Sequence, residues 1–189
     1  MSFTAIVLAA GAGKRFGGGK MTALFAGEPL LAHAIRAAQA APVERVIVVC
    51  APGLEIGTWT ASPPVEALPV ASTELSASLK AGIAAATACD GAFVFLGDMP
   101  LIPHCLASKL AQALGRSFAA VPRHQGRNGH PVLLSSQAFP EIARLSGDQG
   151  AGKLLAGRSD IAFVEAGNDR ILVDIDHADD IARLERRGD

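Results

Sequence analysis

The segment Phe3–Lys20 reads FTAIVLAAGAGKRFGGGK, an apolar run followed at once by a glycine-rich loop. The apolar part, FTAIVLA, contains β-branched residues and is ended by glycine, which is typical of a strand buried on both faces of a sheet. The loop carries Lys14, Arg15 and Lys20 among glycines whose backbone N–H groups are free to bind an anion. The segment therefore predicts a buried strand that leads into a phosphate-binding loop.

The rest of the chain alternates between strand-like and helix-like segments. The predicted strands are residues 3–9, 43–50, 65–70, 92–96, 118–121, 130–135, 161–165 and 171–175. The predicted helices are residues 29–41, 75–88, 103–114, 136–145 and 178–187, with one more that opens near residue 148. This alternation predicts an α/β fold in three layers, a mostly parallel sheet with helices on both faces, and such sheets bind ligands beyond the carboxyl ends of their strands.

The bulk composition limits the classes of function. A chain of 189 residues is long enough for one well-buried core, and we expect a single domain over residues 1–189. A hydrophobic content of 50%, a charged content of 19% and a net charge of −1 exclude a disordered chain and a basic nucleic-acid-binding surface. Because no apolar run is long enough to span a membrane and no signal peptide is recognisable, we expect a soluble cytoplasmic protein that binds neither membranes nor nucleic acid.

The cysteines give no sign of a disulfide framework or a zinc site. Cys50, Cys89 and Cys105 are widely spaced and form no Cys-x-x-Cys pair. We interpret them as small apolar residues in the core.

The glycine-rich loop matches neither of the two commonest phosphate-binding patterns. A Walker A loop ends in Gly-Lys-Ser/Thr, but Met21 follows Lys20 and Lys14 stands where the first glycine is needed. A dinucleotide fingerprint needs a third glycine where the chain has Phe16. A long loop with spaced cations remains, which suits a flexible polyphosphate, and the alternative is a solvated basic turn.

Carboxylates follow the strands at the predicted binding edge. Asp98 ends the strand 92–96 within GDMP, where it either binds Mg²⁺ or caps the following turn. Asp174 and Asp176 would share one face if residues 171–175 formed a strand, because side chains alternate with period two. Asp179 and Asp180 are expected in the first turn of the closing helix, where the helix dipole favours negative charge.

Three other polar motifs have an ordinary structural explanation. Ser76 and Ser78 open an alanine-rich segment, where helix N-caps are expected. Asn128-Gly129 predicts a tight hairpin turn, although it leaves the following His130 unexplained. Asp148 suits a helix N-cap, and the helix start behind it could also receive a phosphate.

These motifs together resemble the MobA-like nucleotidyltransferase family. The loop LAAGAGKRFGGGK is similar to the family's N-terminal signature of Leu-Ala-Ala/Gly-Gly, then Arg-Phe/Met-Gly, then Lys. The later motifs follow in the family's order and cover nearly the whole chain: SASLKAGI (76–83), GDMP (97–100), GHPVLL (129–134), GDQGAG (147–152) and VDIDHADDIARL (173–184). Ala9-Ala10-Gly11, together with Ser-x-Ser-Leu-Lys, resembles the branch that transfers cytidylyl groups to molybdopterin.

The resemblance implies a Rossmann-like nucleotidyltransferase fold and roles for individual residues. It implies that Asp98 and Asp176 bind Mg²⁺, with Asp176 preferred over Asp174, and that His130 and Asp148 contact the acceptor. It gives catalytic roles to Arg15, Lys20 and Asp98. The nucleotide-binding residues that it implies are Leu8, Ala9, Ala10, Gly11, Gly13, Lys14, Arg15, Lys20, Ser76 and Ser78.

The implied reaction is attack of an acceptor phosphate on the α-phosphorus of a nucleoside triphosphate, most similar to CMP transfer from CTP to molybdopterin. The resemblance also implies delivery of the product to a molybdoenzyme or its chaperone. Three alternatives stay open: a guanylyltransferase, a methylerythritol-phosphate-type cytidylyltransferase, and a non-catalytic nucleotide-binding module.

Overall fold

The computed structural model describes residues 1–86 and 88–186 of the chain. Its strands are β1 (Phe3–Ala9), β2 (Leu24–Phe25), β3 (Glu28–Pro29), β4 (Arg45–Cys50), β5 (Val65–Pro69), β6 (Gly91–Leu96), β7 (Ala119–His124), β8 (Arg127–Asn128), β9 (Val132–Ser135) and β10 (Ile161–Glu165). Its α-helices are α1 (Leu30–Gln39), α2 (Leu75–Ala85), α3 (Leu106–Leu114), α4 (Phe139–Ile142), α5 (Ala151–Leu155) and α6 (Ala178–Glu185).

The main sheet has eight strands in the order β10-β7-β9-β6-β1-β4-β5, with β8 paired to β7. The pairs β1–β4, β1–β6, β4–β5 and β7–β10 are parallel, whereas β9 runs antiparallel to both β6 and β7. Leu8 near the end of β1 is paired with Leu96 at the end of β6. The loop after β1 and the turn after β6 therefore leave the same edge of the sheet.

Helices cover both faces of this sheet, which confirms the predicted three-layer architecture. Along β1 the side chains alternate between two cores: Val7 packs in the core under α1 and α3, and Ile6 packs in the core under α2, α4 and α5. Because every residue of β1 is buried, the strand reads as a continuous apolar run in the sequence.

A small third apolar cluster lies at the edge where β1 ends. Phe25 and Leu30 of the β2–β3 hairpin and its helix pack there against Ile175 and Leu184 near the C-terminus, with Phe16 of the glycine-rich loop beside them. This contact ties the last segment of the chain to the loop.

The predicted strand over residues 171–175 is wrong. The chain instead forms a 3₁₀ turn, Asp169–Leu172, and then runs extended without entering the sheet. Its backbone groups bind loops rather than a strand, since the Ile175 N–H donates to the Asp98 carbonyl at 3.0 Å and the Ile171 carbonyl accepts from His130 at 3.0 Å. The alternating pattern therefore reflects packing onto two loops and not strand pairing.

Several predicted helices begin later or end earlier than the sequence indicates. Residues 136–145 form a 3₁₀ turn followed by α4, because Pro140, which has no N–H to donate, stands in its first turn. The predicted helix near residue 148 begins only at Ala151. Helix α2 ends at Ala85 and does not extend to Ala88, which has a positive φ of 68°. Thr87 and Arg187, where the last helix is predicted to end, lie outside the described residues.

The interpretation of the cysteines as core residues holds only for Cys50. That residue is buried in β4, whereas Cys89 is half-buried and Cys105 is exposed just before α3. Among the residues that the structure describes, no helix is long and apolar enough to cross a membrane.

Candidate active site

The loop between β1 and β2 folds back through two 3₁₀ turns, Lys14–Phe16 and Lys20–Thr22. The Gly13 carbonyl accepts a hydrogen bond from the Phe16 N–H at 3.0 Å, which closes the first turn. Gly13 has a φ of +55°, and a Cβ built there would lie 3.1 Å from the Lys20 Cβ. Glycine at this position therefore permits both the left-handed backbone and the close approach that brings Lys20 to the base of the loop.

Lys20 bridges the two carboxylates that the sequence proposes as metal ligands. Its side chain is 8% exposed, and its Nζ donates to Asp98 Oδ2 at 2.7 Å and to Asp176 Oδ1 at 3.3 Å. The exposed Arg15 donates from Nη1 to the other oxygen of Asp176 at 3.0 Å. A buried ammonium needs such partners, because burying an unpaired ion costs roughly several kcal/mol.

The charges around Asp176 lower the pKa of its carboxyl. Burial by itself raises that pKa, but the hydrogen bond and positive charge of Lys20, followed by those of Arg15, outweigh it. Asp176 is therefore ionised at neutral pH and available to a cation.

Asp98 is fixed by the turn that ends β6. The Gly97 N–H donates to the Leu8 carbonyl at 2.9 Å, which continues the pairing of β6 with β1 to the residue before Asp98. A Cβ on Gly97 would lie 3.0 Å from the Met21 sulfur, so this glycine allows the loop to close over the strand end. The Asp98 carbonyl accepts from Ile175 as described above, and Asp98 and Asp176 are brought together through that backbone contact.

Asp176 is fixed from its other side by helix α6. Asp180 is 8% exposed, and its Oδ2 accepts hydrogen bonds from the backbone N–H of Asp176 at 2.9 Å and of His177 at 2.7 Å. Asp180 Oδ1 accepts from Arg183 Nη2 at 2.7 Å. These bonds, first those from the His177 and Asp176 backbone and then the charge of Arg183, lower the pKa of Asp180 despite its burial. The expected position of Asp180 in the first helical turn is thus confirmed.

A cleft with two adjoining compartments opens above these side chains. The narrow compartment has a volume of about 270 Å³ and is lined by Leu8, Ala9, Ala10, Gly11, Gly13, Lys20, Met21, Thr73, Leu75, Ser78, Leu96, Asp98 and Asp148. The wide compartment, of about 640 Å³, is lined by Gly11, Ala12, Gly13, Lys14, Arg15, Lys20, Thr73, Leu75, Asp148 and Asp176. The narrow part is lined mainly by apolar residues, with Lys20, Asp98 and Asp148 among its polar ones, whereas the wide part carries the cations of the loop.

Most of the residues singled out in the sequence line this cleft. They are Leu8, Ala9, Ala10, Gly11, Gly13, Lys14, Arg15, Lys20, Ser78, Asp98, Asp148 and Asp176. Ser76 and His130 line neither compartment. Exposed Asp174 also lies outside the two linings, two residues before Asp176.

The predicted helix caps at Ser76, Ser78 and Asp148 are wrong. Glu74 is the N-cap of α2, and the buried Ser78 hydroxyl donates to the Glu74 carbonyl at 3.2 Å, one helical turn back. Gly150 is the N-cap of α5, so the exposed Asp148 is free of a capping role in the described structure. Both helices therefore begin without a side-chain cap from these residues.

The predicted hairpin turn at Asn128-Gly129 is also misplaced. The two-residue turn between β7 and β8 is Gln125-Gly126, with φ of 48° and 79°. Gly129 is buried after β8, where a Cβ would lie 2.4 Å from the Ile171 carbonyl oxygen. Close approach to that carbonyl, rather than a turn conformation, is what requires glycine at position 129.

His130 is enclosed between β6 and the segment before Asp176. Its Nδ1 is 3.3 Å from the Val94 carbonyl oxygen. Burial of the ring lowers its pKa, and the hydrogen bond to Val94 and the charges of Asp98 and Asp174 only partly offset this. His130 therefore forms a neutral support behind the site instead of a side chain facing the cleft.

Five residues that line the cleft are not predicted from the sequence: Ala12, Met21, Thr73, Leu75 and Leu96. Leu75 lines both compartments, and a Cβ on Gly150 would lie 2.7 Å from its Cδ2, so Leu75 is wedged between the cleft and the loop before α5. Its place directly before the SASLK motif is the signal that could have indicated it. Apolar side chains carry no pattern that separates a pocket wall from a core position.

The donor set at the base of the cleft fits a divalent cation that binds together with phosphates. Within residues 1–86 and 88–186, no group of three or more His, Cys, Asp or Glu residues is placed to hold a metal. Asp98 and Asp176 nevertheless converge on one positive charge, the Lys20 ammonium. Mg²⁺ is commonly held by one or two carboxylates with water and substrate phosphates as the remaining ligands.

Comparisons with known proteins identify the family and the fold of the chain. The family model of the MobA-like NTP transferase domain matches residues 5–162. A search of curated proteins gave no significant match.

Solved structures share the fold over nearly the whole chain. The crystal structure of Rv0371c from Mycobacterium tuberculosis H37Rv has a TM-score of 0.85 and 26% identity, covering 98% of each chain. A complex of Rv0371c with manganese has a TM-score of 0.81 and 25% identity, covering 97% of this chain and 98% of that one. A 4-diphosphocytidyl-2C-methyl-D-erythritol synthase from Anaerococcus prevotii shares the fold, with a TM-score of 0.77 at 14% identity over 98% and 95% of the two chains.

Proposed function

The chain belongs to the MobA-like NTP transferase family, and from this premise we propose that it transfers CMP from CTP to the phosphate of molybdopterin. The bond between the α- and β-phosphates breaks, a new bond forms between the acceptor phosphate oxygen and the α-phosphorus, and pyrophosphate leaves. The observation that carries the proposal is the cleft itself. It joins a narrow aliphatic compartment to a wide cationic one, with Lys20, Asp98 and Asp176 at the junction.

The narrow compartment is proposed to hold the base and ribose. The backbone of Ala9 and Ala10 offers N–H and C=O groups at its wall, and Ser78 lies opposite on α2. The base that we propose for this compartment is a pyrimidine. The resemblance of Ser76 to Lys80 to the cytidylyl branch supports the same choice.

The wide compartment is proposed to hold the triphosphate. Arg15 and Lys14 stand exposed along it, and Lys20 stands at its base. These cations would offset the negative charge that grows on the departing β- and γ-phosphates. Removal of one such preorganised group costs about 10²–10³ in rate in other enzymes.

The chemistry needs alignment more than acid–base help from the protein. A phosphate monoester has a second pKa near 6, so at neutral pH the acceptor is already a nucleophile and no general base is required. The residues of the cleft then act by holding the acceptor phosphate in line with the α-phosphate of the nucleotide.

Asp98 and Asp176 are the residues proposed to hold Mg²⁺, and a bound divalent cation would supply positive charge to the phosphate oxygens during transfer. Asp148 is proposed to contact the acceptor, as the family resemblance implies, and its exposed side chain lines the cleft without capping a helix. His130 is proposed to act only by supporting the Asp98 region, since it does not line the cleft.

The test is pyrophosphate release by the purified protein with CTP, GTP or ATP, each with Mg²⁺ and with molybdopterin, methylerythritol phosphate or no acceptor. We expect release with CTP and molybdopterin, and its loss in Asp98→Asn. A preference for GTP would replace the proposal with guanylyl transfer, and release with CTP and methylerythritol phosphate alone would replace the acceptor. Binding of nucleotide without release from any pair would show a non-catalytic module.

A further inference from the structure

The Lys20 ammonium sits where a metal bound by Asp98 and Asp176 would have to sit. It is buried, and it touches one oxygen of each carboxylate, at 2.7 Å and 3.3 Å. Arg15 reaches Asp176 from the exposed side and does not contact Asp98 in the described structure. Lys20 is thus the cation that bridges the two carboxylates.

The bridging position creates a conflict with any divalent cation at the same carboxylates. Magnesium binds oxygen ligands at about 2.0–2.1 Å, so an ion that bridged Asp98 Oδ2 and Asp176 Oδ1 would occupy the space between these two oxygens that the ammonium fills. The two positive charges would also repel each other at such short range. One cation must leave before the other can bind.

We propose that Lys20 occupies the metal position in the nucleotide-free protein and leaves it when a triphosphate gives the ammonium a new partner. The metal is then exchanged for the Lys20 ammonium at the two carboxylates. Metal and triphosphate bind together, because the triphosphate attracts the ammonium away from the carboxylates and the metal prevents its return. The wide compartment begins at Lys20 and continues along the loop cations, so the ammonium has an anionic destination within the same cleft. The part that the triphosphate plays in this inference rests on the proposed function. The competition between Lys20 and a metal does not depend on that function.

The exchange predicts weak metal binding by the protein alone. If the carboxylates are free of the ammonium in about one molecule in ten, the apparent Kd for metal is about tenfold above its intrinsic value. The coupling is reciprocal, so nucleotide must raise the affinity for metal by the factor by which metal raises the affinity for nucleotide.

The experiment is a titration with Mn²⁺ in the absence of nucleotide, in which electron paramagnetic resonance measures the concentration of free Mn²⁺. Wild-type protein is compared with Lys20→Gln, which removes the bridging charge, and Lys20→Arg, which keeps a cation. Lys14→Gln is the matched control, because Lys14 lies on the same loop and lines the same compartment but is exposed and forms no ion pair among the described residues. Thermal melting with EDTA verifies that each variant is folded.

We expect Lys20→Gln to bind Mn²⁺ about tenfold more tightly than wild type or more, and Lys14→Gln and Lys20→Arg to stay within about twofold of wild type. Equal affinity of Lys20→Gln and wild type would overturn the proposal. An equal gain in Lys14→Gln would also overturn it, since the effect would then be net charge and not exchange.

A second measurement uses wild-type protein and does not depend on any variant folding. The Nζ resonance of Lys20, assigned by ¹⁵N-lysine labelling, should change on titration with Mg²⁺, and should change again when CTP is added. Saturation with Mg²⁺ that leaves this resonance unaltered would show that the ammonium and the metal occupy different places. Neither metal titration needs turnover, so a failure of CMP transfer in the pyrophosphate assay leaves this test intact.

Discussion

Asp180 holds Asp176 in place through the backbone: its Oδ2 accepts the N–H of Asp176 at 2.9 Å and that of His177 at 2.7 Å. The same two bonds start helix α6 and fix the carboxylate that faces Lys20. A residue that forms no part of the cleft lining therefore sets the geometry of the proposed metal ligands.

Replacing Asp180 should loosen the site without removing a proposed ligand. We expect Asp180→Ala to raise the Mg²⁺ concentration needed for half-maximal transfer several-fold, with little change in rate at saturating Mg²⁺. It should also lower the free energy of unfolding by about 1 kcal/mol, the usual effect of a lost N-terminal cap. Urea unfolding and Mg²⁺ titration of the rate measure the two effects. Arg183→Ala is the control, since the exposed Arg183 contacts only the far oxygen of Asp180 and should change neither by much.

The two aspartates of the VDID motif should differ sharply in their effect on transfer. Asp176→Ala removes a carboxylate that contacts Lys20 and Arg15, and we expect the rate to fall by about 10²–10³. Asp174→Ala removes an exposed carboxylate outside the cleft lining, and we expect activity within about twofold of wild type. Steady-state pyrophosphate release compares them. An equal loss in both variants would mean that the segment, and not the Asp176 carboxylate, carries the effect.

Gly129 should not tolerate alanine. The added Cβ would lie 2.4 Å from the Ile171 carbonyl oxygen, which belongs to the backbone and cannot rotate away. We expect Gly129→Ala to lower the free energy of unfolding by about 1–3 kcal/mol, as overpacking does in other buried sites. Gly152→Ala is the matched control, because a Cβ there meets nothing within 4 Å. Chemical denaturation of the two variants gives the comparison, and equal stability would contradict the observed contact.

The half-buried ring of His130 should make stability depend on pH. Its pKa lies below the ordinary 6.5 in the folded state, so below that pH the unfolded chain binds the extra proton and the folded chain does not. Stability must then rise with pH in this window and fall on acidification. Between pH 7.5 and 5.5 we expect a loss of up to about 1.4 kcal/mol from this residue.

Thermal or urea unfolding across that range, with EDTA present, measures the loss. His130→Gln should flatten the dependence, because the other histidines are the same in both proteins. Parallel profiles for wild type and His130→Gln would show that His130 titrates normally.

Much of the fold and part of the site could be predicted from local sequence. The apolar run of β1, the glycines after it and Asp98 after β6 carry their meaning in adjacent residues, and parallel strands bring their carboxyl ends to one edge. The order of elements alone predicts that Lys20 and Asp98 lie at the same edge of the sheet. The caps and turns were harder, because Asn128-Gly129 fits a turn by composition while Gln125-Gly126 forms it.

The local pattern of the chain determined the class of sheet, the loop and the candidate carboxylates. The contacts between distant segments could come only from the folded molecule: Lys20 between Asp98 and Asp176, Asp180 behind Asp176, and His130 beneath the site instead of in it. The physical reason is that these positions depend on packing between residues that are 78 and 156 places apart in the two Lys20 pairs. Residue type and spacing indicate which element of secondary structure a segment can form. They do not indicate which distant backbone groups the segment contacts.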